Sequence, residues 1–213
     1  MEKFIKWISN YWYHYKFRTI LCLFLAVVLI FSVCQLITRE KYDMKVYFYT
    51  SNIVPADAER ALETTIEEVF SENGEEKNVQ VINLSYNPYS VDGEARMSYA
   101  AALAGELRMK KDFLYITDKY RIEELLDNEV FQNVFIEKET FDKYDNKAYL
   151  INGKDFEKRF TKNLEKNKIE VQKMPKLYIS LLNPTGVNDK TYKKYQQAEK
   201  LVDLIIKNDK NKE

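Results

Sequence analysis

The chain has 213 residues, with 33 basic side chains balanced by 33 acidic ones. Lys3, Lys6, Lys16, Arg18 and Arg39 face only Glu2 and Glu40 in the first forty residues, which leaves 28 basic and 31 acidic residues beyond them. That small acidic excess supplies no counterion-release drive toward nucleic acid, and no stretch interleaves clustered arginine with aromatic platforms, so nucleic acid is not an expected partner. Cys22, Cys34 and the sole histidine, His14, all precede residue 40. Disulfides, cysteine nucleophiles, Cys/His zinc sites and histidine triads are thereby removed from the rest of the chain, and no cofactor is expected there.

Residues 1–18 place Phe4, Ile5, Ile8, Trp12 and Tyr15 at helical spacing among lysines, with Trp7, Tyr11 and Tyr13 beside them. Such a basic, aromatic helix reads as an interfacial segment that anchors the apolar run after it. That run, Thr19 to Thr38, has twenty residues without a charge, and thirteen of them are Leu, Ile, Val or Phe. A helix of that length covers roughly 30 Å, the hydrocarbon thickness of a bilayer. Insertion gains roughly 4 to 8 kcal/mol from those thirteen side chains. The apolar run is too long for a signal-peptide core and no A-x-A site comes after it. Val33 and Leu21 occupy the positions before the two cysteines, where a lipoprotein needs a small residue. The reading is therefore a single-pass span in the cell membrane, its N-terminus cytoplasmic and residues 39–207 forming an extracytoplasmic domain.

Within that domain Lys45 to Thr50 reads as a strand. Pro55 opens a helix that Gly74 closes, with Ala58, Ala61, Leu62, Thr65, Ile66, Val69 and Phe70 on one stripe. Asn78 to Tyr86 is a second strand whose apolar positions shift from odd to even, the mark of a strand buried on both faces or bulged. Glu94 to Lys110 comes next as a helix with Met97, Ala100, Ala101, Leu103, Ala104 and Leu107 on its inner side. Asp112 to Asp118 is a third strand, Tyr120 to Asp127 a short helix, and Val130 to Ile136 an apolar segment. Strands separated by helices of this length indicate crossovers and a three-layer α/β domain with a mostly parallel sheet. Further on, Ala148 to Ile151 and Lys176 to Leu182 read as strands, Asp155 to Glu165 and Thr191 to Lys207 as helices, and residues 208–213 as a polar tail.

Open α/β sheets take ligands outside the carboxyl ends of their strands. The residues there are Ser51 and Asn52 after the first strand, Ser85 and Asn87 after the second, and Thr117 and Asp118 at the end of the third. They are the candidate ligand-binding set, and helix capping and chain turning are the alternative use for the same side chains. The adjacent acidic pairs Glu67-Glu68, Glu75-Glu76 and Glu123-Glu124 read as solvated helix faces, since neighbours in a helix do not face one another. No phosphate-cradling glycine loop is present, no metal ligand set is expected and no catalytic residue is assigned.

The stretch SYAAALAGELRMKKDFLYITDKY, Ser98 to Tyr120, followed by LLDNEVFQNVF, Leu125 to Phe135, resembles the first lobe of extracytoplasmic solute-binding proteins of the type II periplasmic class. In that class an opening strand and long helix precede an alanine-rich helix and an apolar strand ending in Asp. The resemblance covers Lys45 to Phe135 and implies one lobe, because the roughly 75 residues remaining are too few for a second. A lone lobe lacks the closure that buries a solute. The expected function is a non-enzymatic accessory or protein-interaction module with a membrane protein as partner. The alternatives are the solute-binding component of a transport or sensing system, with a small solute as partner, and a carboxylate-based enzyme.

Overall fold

The computed structural model describes residues 1–38, 42–52, 55–87, 89, 92–127, 134–169 and 175–210. The chain divides into two compact units, Met1–Lys41 and Tyr42–Glu213. The first is one helix, α1, Glu2–Thr38. No boundary separates an interfacial segment from a span at Arg18. The sequence there holds neither Gly nor Pro, and the Thr19 hydroxyl donates back to the Tyr15 carbonyl (3.0 Å), which leaves the helical backbone uninterrupted. Asn10–Cys34 is long and apolar enough to cross a membrane.

The second unit is a mixed α/β domain. Its elements in chain order are β1 (Met44–Tyr49), α2 (Ala56–Ser71), β2 (Val79–Asn83), α3 (Gly93–Met109), β3 (Leu114–Asp118), α4 (Lys119–Asp127), β4 (Tyr149–Leu150), α5 (Asp155–Lys166), β5 (Leu177–Leu181) and α6 (Asp189–Lys210). The sheet order is β2-β1-β3-β5-β4. β1 lies parallel to β2 and β3, and β5 runs antiparallel to both β3 and β4, so four of the five strands point one way. The apolar segment predicted at Val130 to Ile136 lies partly outside the described residues, but Phe135 bridges Leu182 beyond the end of β5.

The strand pleat separates two chemistries. Phe48 meets Phe160 of α5 edge-on at 6.5 Å, which sets the face shared by Val46, Leu114, Ile116, Ile179 and Leu181. Against that face pack α2, α5 and α6, which also contact one another and carry the buried Leu62, Ile66, Phe156, Leu201 and Val202. The opposite face carries Tyr47, Tyr49, Tyr115, Thr117, Tyr178 and Ser180. Here α4 and the last turns of α3 form the third layer.

Several expectations need correction. On α3 only Leu103 and Leu107 are buried, whereas Met97 is 75% exposed and Ala100 and Ala101 are also exposed. The helix meets the rest of the fold through its C-terminal turns and through Tyr99, which stacks on Tyr86, so its alanine run is no packing stripe. β2 stops at Asn83 and is an edge strand, neither doubly buried nor bulged. Its outward N–H groups are taken up by α2, with Val79 N–H donating to Glu67 Oε1 (3.1 Å) and Val81 N–H to Glu63 Oε1 (2.8 Å). Glu67 is therefore an edge cover. Glu68 accepts from Asn163, Glu75 pairs with Lys200, Glu123 accepts from Tyr144 and Glu124 from Arg121, so these acidic pairs are not simply solvated. The tail expected from 208 begins later. α6 continues to Lys210, and Asp209 is 4% exposed, accepting from Tyr149 Oη (2.9 Å) and Asp155 N–H (2.9 Å).

Two outcomes are expected from this packing. Leu62→Ala costs about 2–5 kcal/mol in urea unfolding of residues 42–213, while Met97→Ala stays within about 0.5 kcal/mol of wild type. Burial raises the Asp209 pKa above the ordinary carboxylate value, against the lowering effect of its bonds from Tyr149 and the backbone of Phe156 and Asp155. A raised folded-state pKa gives stability that is complete below the unfolded value, about 3.9, and is lost as pH climbs through the folded one. Asp209→Asn, whose carbonyl oxygen keeps the Asp155 N–H while its amide donates to Tyr149 Oη, therefore melts at or above the wild-type temperature at pH 7 and converges with it at pH 3.

Candidate functional site

The three parallel strands β1, β2 and β3 end at a common edge, and two of the predicted side chains meet there directly. Asp118 closes β3 and is 3% exposed. Its Oδ2 accepts the Ser51 N–H (2.7 Å) and the Ser51 hydroxyl, and its Oδ1 accepts the Arg121 N–H (2.9 Å) in the first turn of α4. One carboxylate thus joins the end of β1, the end of β3 and the start of α4, where it also suits the helix dipole.

Ser85 enters through Thr50. The Thr50 N–H donates to Ser85 Oγ (3.0 Å), the Thr50 hydroxyl oxygen lies 2.8 Å from it, and Ser85 Oγ lies 3.3 Å from the Phe48 carbonyl. The other predicted residues stand apart. Asn52 is exposed and contributes its carbonyl to Thr50, Asn87 Oδ1 accepts the Tyr89 N–H (2.8 Å) in a local turn, and the Thr117 hydroxyl is buried on the tyrosine face without a hydrogen-bond partner. Asp112, at the far end of β3, is buried beside Lys194 Nζ (3.0 Å).

What the sequence reading missed is Arg121, 0% exposed and the largest fully buried side chain among the described residues. Its guanidinium lies 4.0 Å from the Tyr86 ring centre and 4.6 Å from that of Tyr49. Nη1 donates to Glu124 Oε2 (2.6 Å) and Tyr86 Oη (3.2 Å), Nη2 donates to the Tyr86 carbonyl (2.8 Å), and Nε has no partner. Tyr86 stacks in turn on Tyr99 at 4.5 Å, and Tyr89 tilts over Tyr120 at 6.5 Å. Burial pushes the Tyr49 phenol pKa up, opposed by Arg121 alongside. Arg121 comes three residues after Asp118, but nothing in that spacing reveals that Tyr49 and Tyr86, on two other segments, close over it.

At this edge Ser51, Thr50, Ser85 and Asp118 are hydrogen-bonded, whereas the Thr117 hydroxyl and Arg121 Nε are not. The Asp118 carboxylate is held by three donors, and no group of three His, Cys, Asp or Glu side chains among the described residues is arranged to hold a metal ion. Asp118→Ala is expected to cost about 1–3 kcal/mol by leaving the half-buried Ser51 amide and the buried Arg121 amide unpaired, while Asn52→Ala stays within about 0.5 kcal/mol, both read from thermal and urea unfolding. No protein-family model matches this chain, no curated protein matches it, and no solved structure matches it.

Proposed function

We propose that this chain is a single-pass membrane-anchored accessory module whose α/β domain binds another membrane protein outside the cell, with the N-terminus cytoplasmic and no catalytic activity. The observation that carries the reading is how side chains are used at the strand edge. Ser51 and Asp118 bond to each other and Ser85 to Thr50, while Tyr89, Tyr99 and Tyr120 stand beside them 82%, 43% and 44% exposed. Tyr99 rests on Tyr86, and Tyr86 and Tyr120 both flank Arg121, so these exposed rings have a rigid footing. Rigid tyrosines beside arginine are what protein interfaces favour, because they bury large area at small entropic cost. The likeness to one lobe of a type II solute-binding protein fits a fold that retains the lobe without its clamp.

The second reading, a solute-binding component of a transport or sensing system, draws on the unpartnered buried Nε of Arg121, a donor available to one small acceptor. Melting of residues 42–213 against sugars, peptides, amino acids and divalent metals separates the two, since a ligand of the folded state raises the melting temperature. A flat response is expected. A photo-crosslinker at Tyr99 or Tyr120 of the full-length chain in membranes is expected to yield one discrete heterologous adduct, absent when placed at Lys190. A saturable melting shift, or adducts of equal yield at all three positions, transfers the assignment to solute binding. Protease added to intact cells is expected to remove a C-terminal tag, and full protection overturns the external placement.

A further inference from the structure

The end of the sheet opposite Asp118 gathers cations. α3 closes there on Arg108 and Met109, the chain turns through Lys110 and Lys111 into β3, and after β5 it opens α6 with Lys190, Lys193 and Lys194. Side chains tie the two stretches together. Lys110 Nζ donates to the Thr185 carbonyl (2.9 Å), and Lys194 Nζ donates to the Lys111 carbonyl (3.1 Å) and to Asp112 Oδ1 (3.0 Å). Residues 108–112 and 189–194 thus hold six basic side chains against Asp112 and Asp189, in a domain whose whole composition is slightly acidic.

Neither ion pairing nor helix stability accounts for all of them. Arg108, Lys111, Lys190 and Lys193 are exposed, and none of the four is in an ion pair among the described residues. Arg108 suits the negative end of α3, but Lys190 stands in the first turn of α6, where the helix dipole disfavours a cation. Two large side chains lie exposed in the same stretches, Met109 at 50% and Tyr192 at 44%. Exposed lysine and arginine interleaved with tyrosine and an apolar side chain is the composition of surfaces that settle on lipid headgroups. The chain also enters the domain at this end of the sheet. β1 lies parallel to β3 with Val46 beside Leu114, so Met44 starts its strand where Lys111 and Asp112 lead into theirs. The steps from Thr38 to Met44 extend at most roughly 20 Å.

We propose that this basic end of the domain, Arg108 to Lys111 with Lys190 to Lys194, rests on the anionic phospholipid headgroups of the bilayer in which the chain is anchored. Lipid phosphates supply the negative partners that the exposed lysines and Arg108 do not find within the domain, while Met109 and Tyr192 enter the headgroup boundary. Tyr89, Tyr99 and Tyr120 lie toward the opposite end of the sheet and stay open to a protein partner. The contact rests on the membrane-anchored reading of α1 and is independent of what the tyrosines bind.

The full-length chain carrying Cys22→Ser, Cys34→Ser and one new thiol tests it, labelled with a bimane fluorophore and reconstituted into vesicles that contain a lipid with a nitroxide on its headgroup. Met109→Cys reports the basic end, and Asn52→Cys, at an exposed site, reports the opposite one. In vesicles with roughly 30% phosphatidylglycerol in phosphatidylcholine, the label at position 109 is expected to be quenched several-fold more than the label at 52. Phosphatidylcholine alone, or about 0.5 M NaCl, is expected to remove most of that difference. Lys111→Glu with Lys193→Glu is expected to do the same, and since both lysines are exposed the double variant melts with its parent. Equal quenching at the two positions overturns the contact, and quenching at 109 that ignores lipid charge, salt and the two lysines overturns its electrostatic origin. Alkaline extraction of the vesicles separates the premises: release of the chain defeats the anchor, whereas retention with an unquenched label at 109 defeats the headgroup contact alone. A thiol at 109 that is shielded from maleimide in native membranes but not in the vesicles gives this end to a protein and overturns the lipid assignment.

Discussion

Burial of β3 on both faces is the constraint on which the rest of the domain depends. Every residue from Leu114 to Asp118 is buried. A strand in that position must be covered on two sides, and its two sides differ in kind. Leu114 and Ile116 belong to the apolar face, where three mutually packed helices remove methyl and phenyl groups from water and supply most of the hydrophobic stabilisation. Tyr115 and Thr117 belong to a face of hydroxyl-bearing side chains, where the Tyr115, Thr117 and Ser180 hydroxyls are buried without a hydrogen-bond partner among the described residues and other hydroxyls find one on the covering helices. Tyr47 Oη, for example, donates to Glu106 Oε2 of α3 at 2.6 Å.

The polar chemistry of the domain is spent largely on closing its own backbone. At the edge of the sheet Glu63 and Glu67 cover β2, and Asp142 Oδ1 accepts the Leu150 N–H of β4 at 3.1 Å. At the ends of the strands Asp118 binds β1 to α4. By occupying edge N–H groups, Glu63, Glu67 and Asp142 oppose edge-to-edge pairing with another chain. Tyr89, Tyr99 and Tyr120, beside the buried Arg121, remain exposed next to these hydrogen-bonded groups.

Some elements were readable because their signal is local. The stripe of α2, its opening proline and its closing Gly74 depend only on neighbours along the chain, and α2 forms where they indicate. The parallel crossovers are implied by the alternation of apolar strands with helical stretches. α3 misled because alanine suits a close-packed helix and a solvated one equally well, so its burial is set by how far the sheet extends beneath it. The end of α6 was missed because the partners that bury Asp209, Tyr149 and Asp155, lie more than fifty residues away. In the candidate site Ser51, Ser85 and Asp118 were legible from the rule that strand ends converge, but Arg121 was not, since its environment is made by rings from three segments.

Residue order alone determined that the chain opens with an apolar helix long enough to cross a bilayer, that cysteine and histidine chemistry is confined to residues before the domain, and that an α/β sheet with crossovers comes after it. Periodicity and composition are sums over neighbours, so these conclusions needed no contacts. Only the tertiary structure decided that β5 runs against β3, that the edge carboxylates are consumed by backbone donors, and that an arginine lies buried between tyrosines. Those outcomes depend on pairings between residues far apart in sequence, where the free energy comes from desolvating one group against another and no local pattern records which partner will arrive.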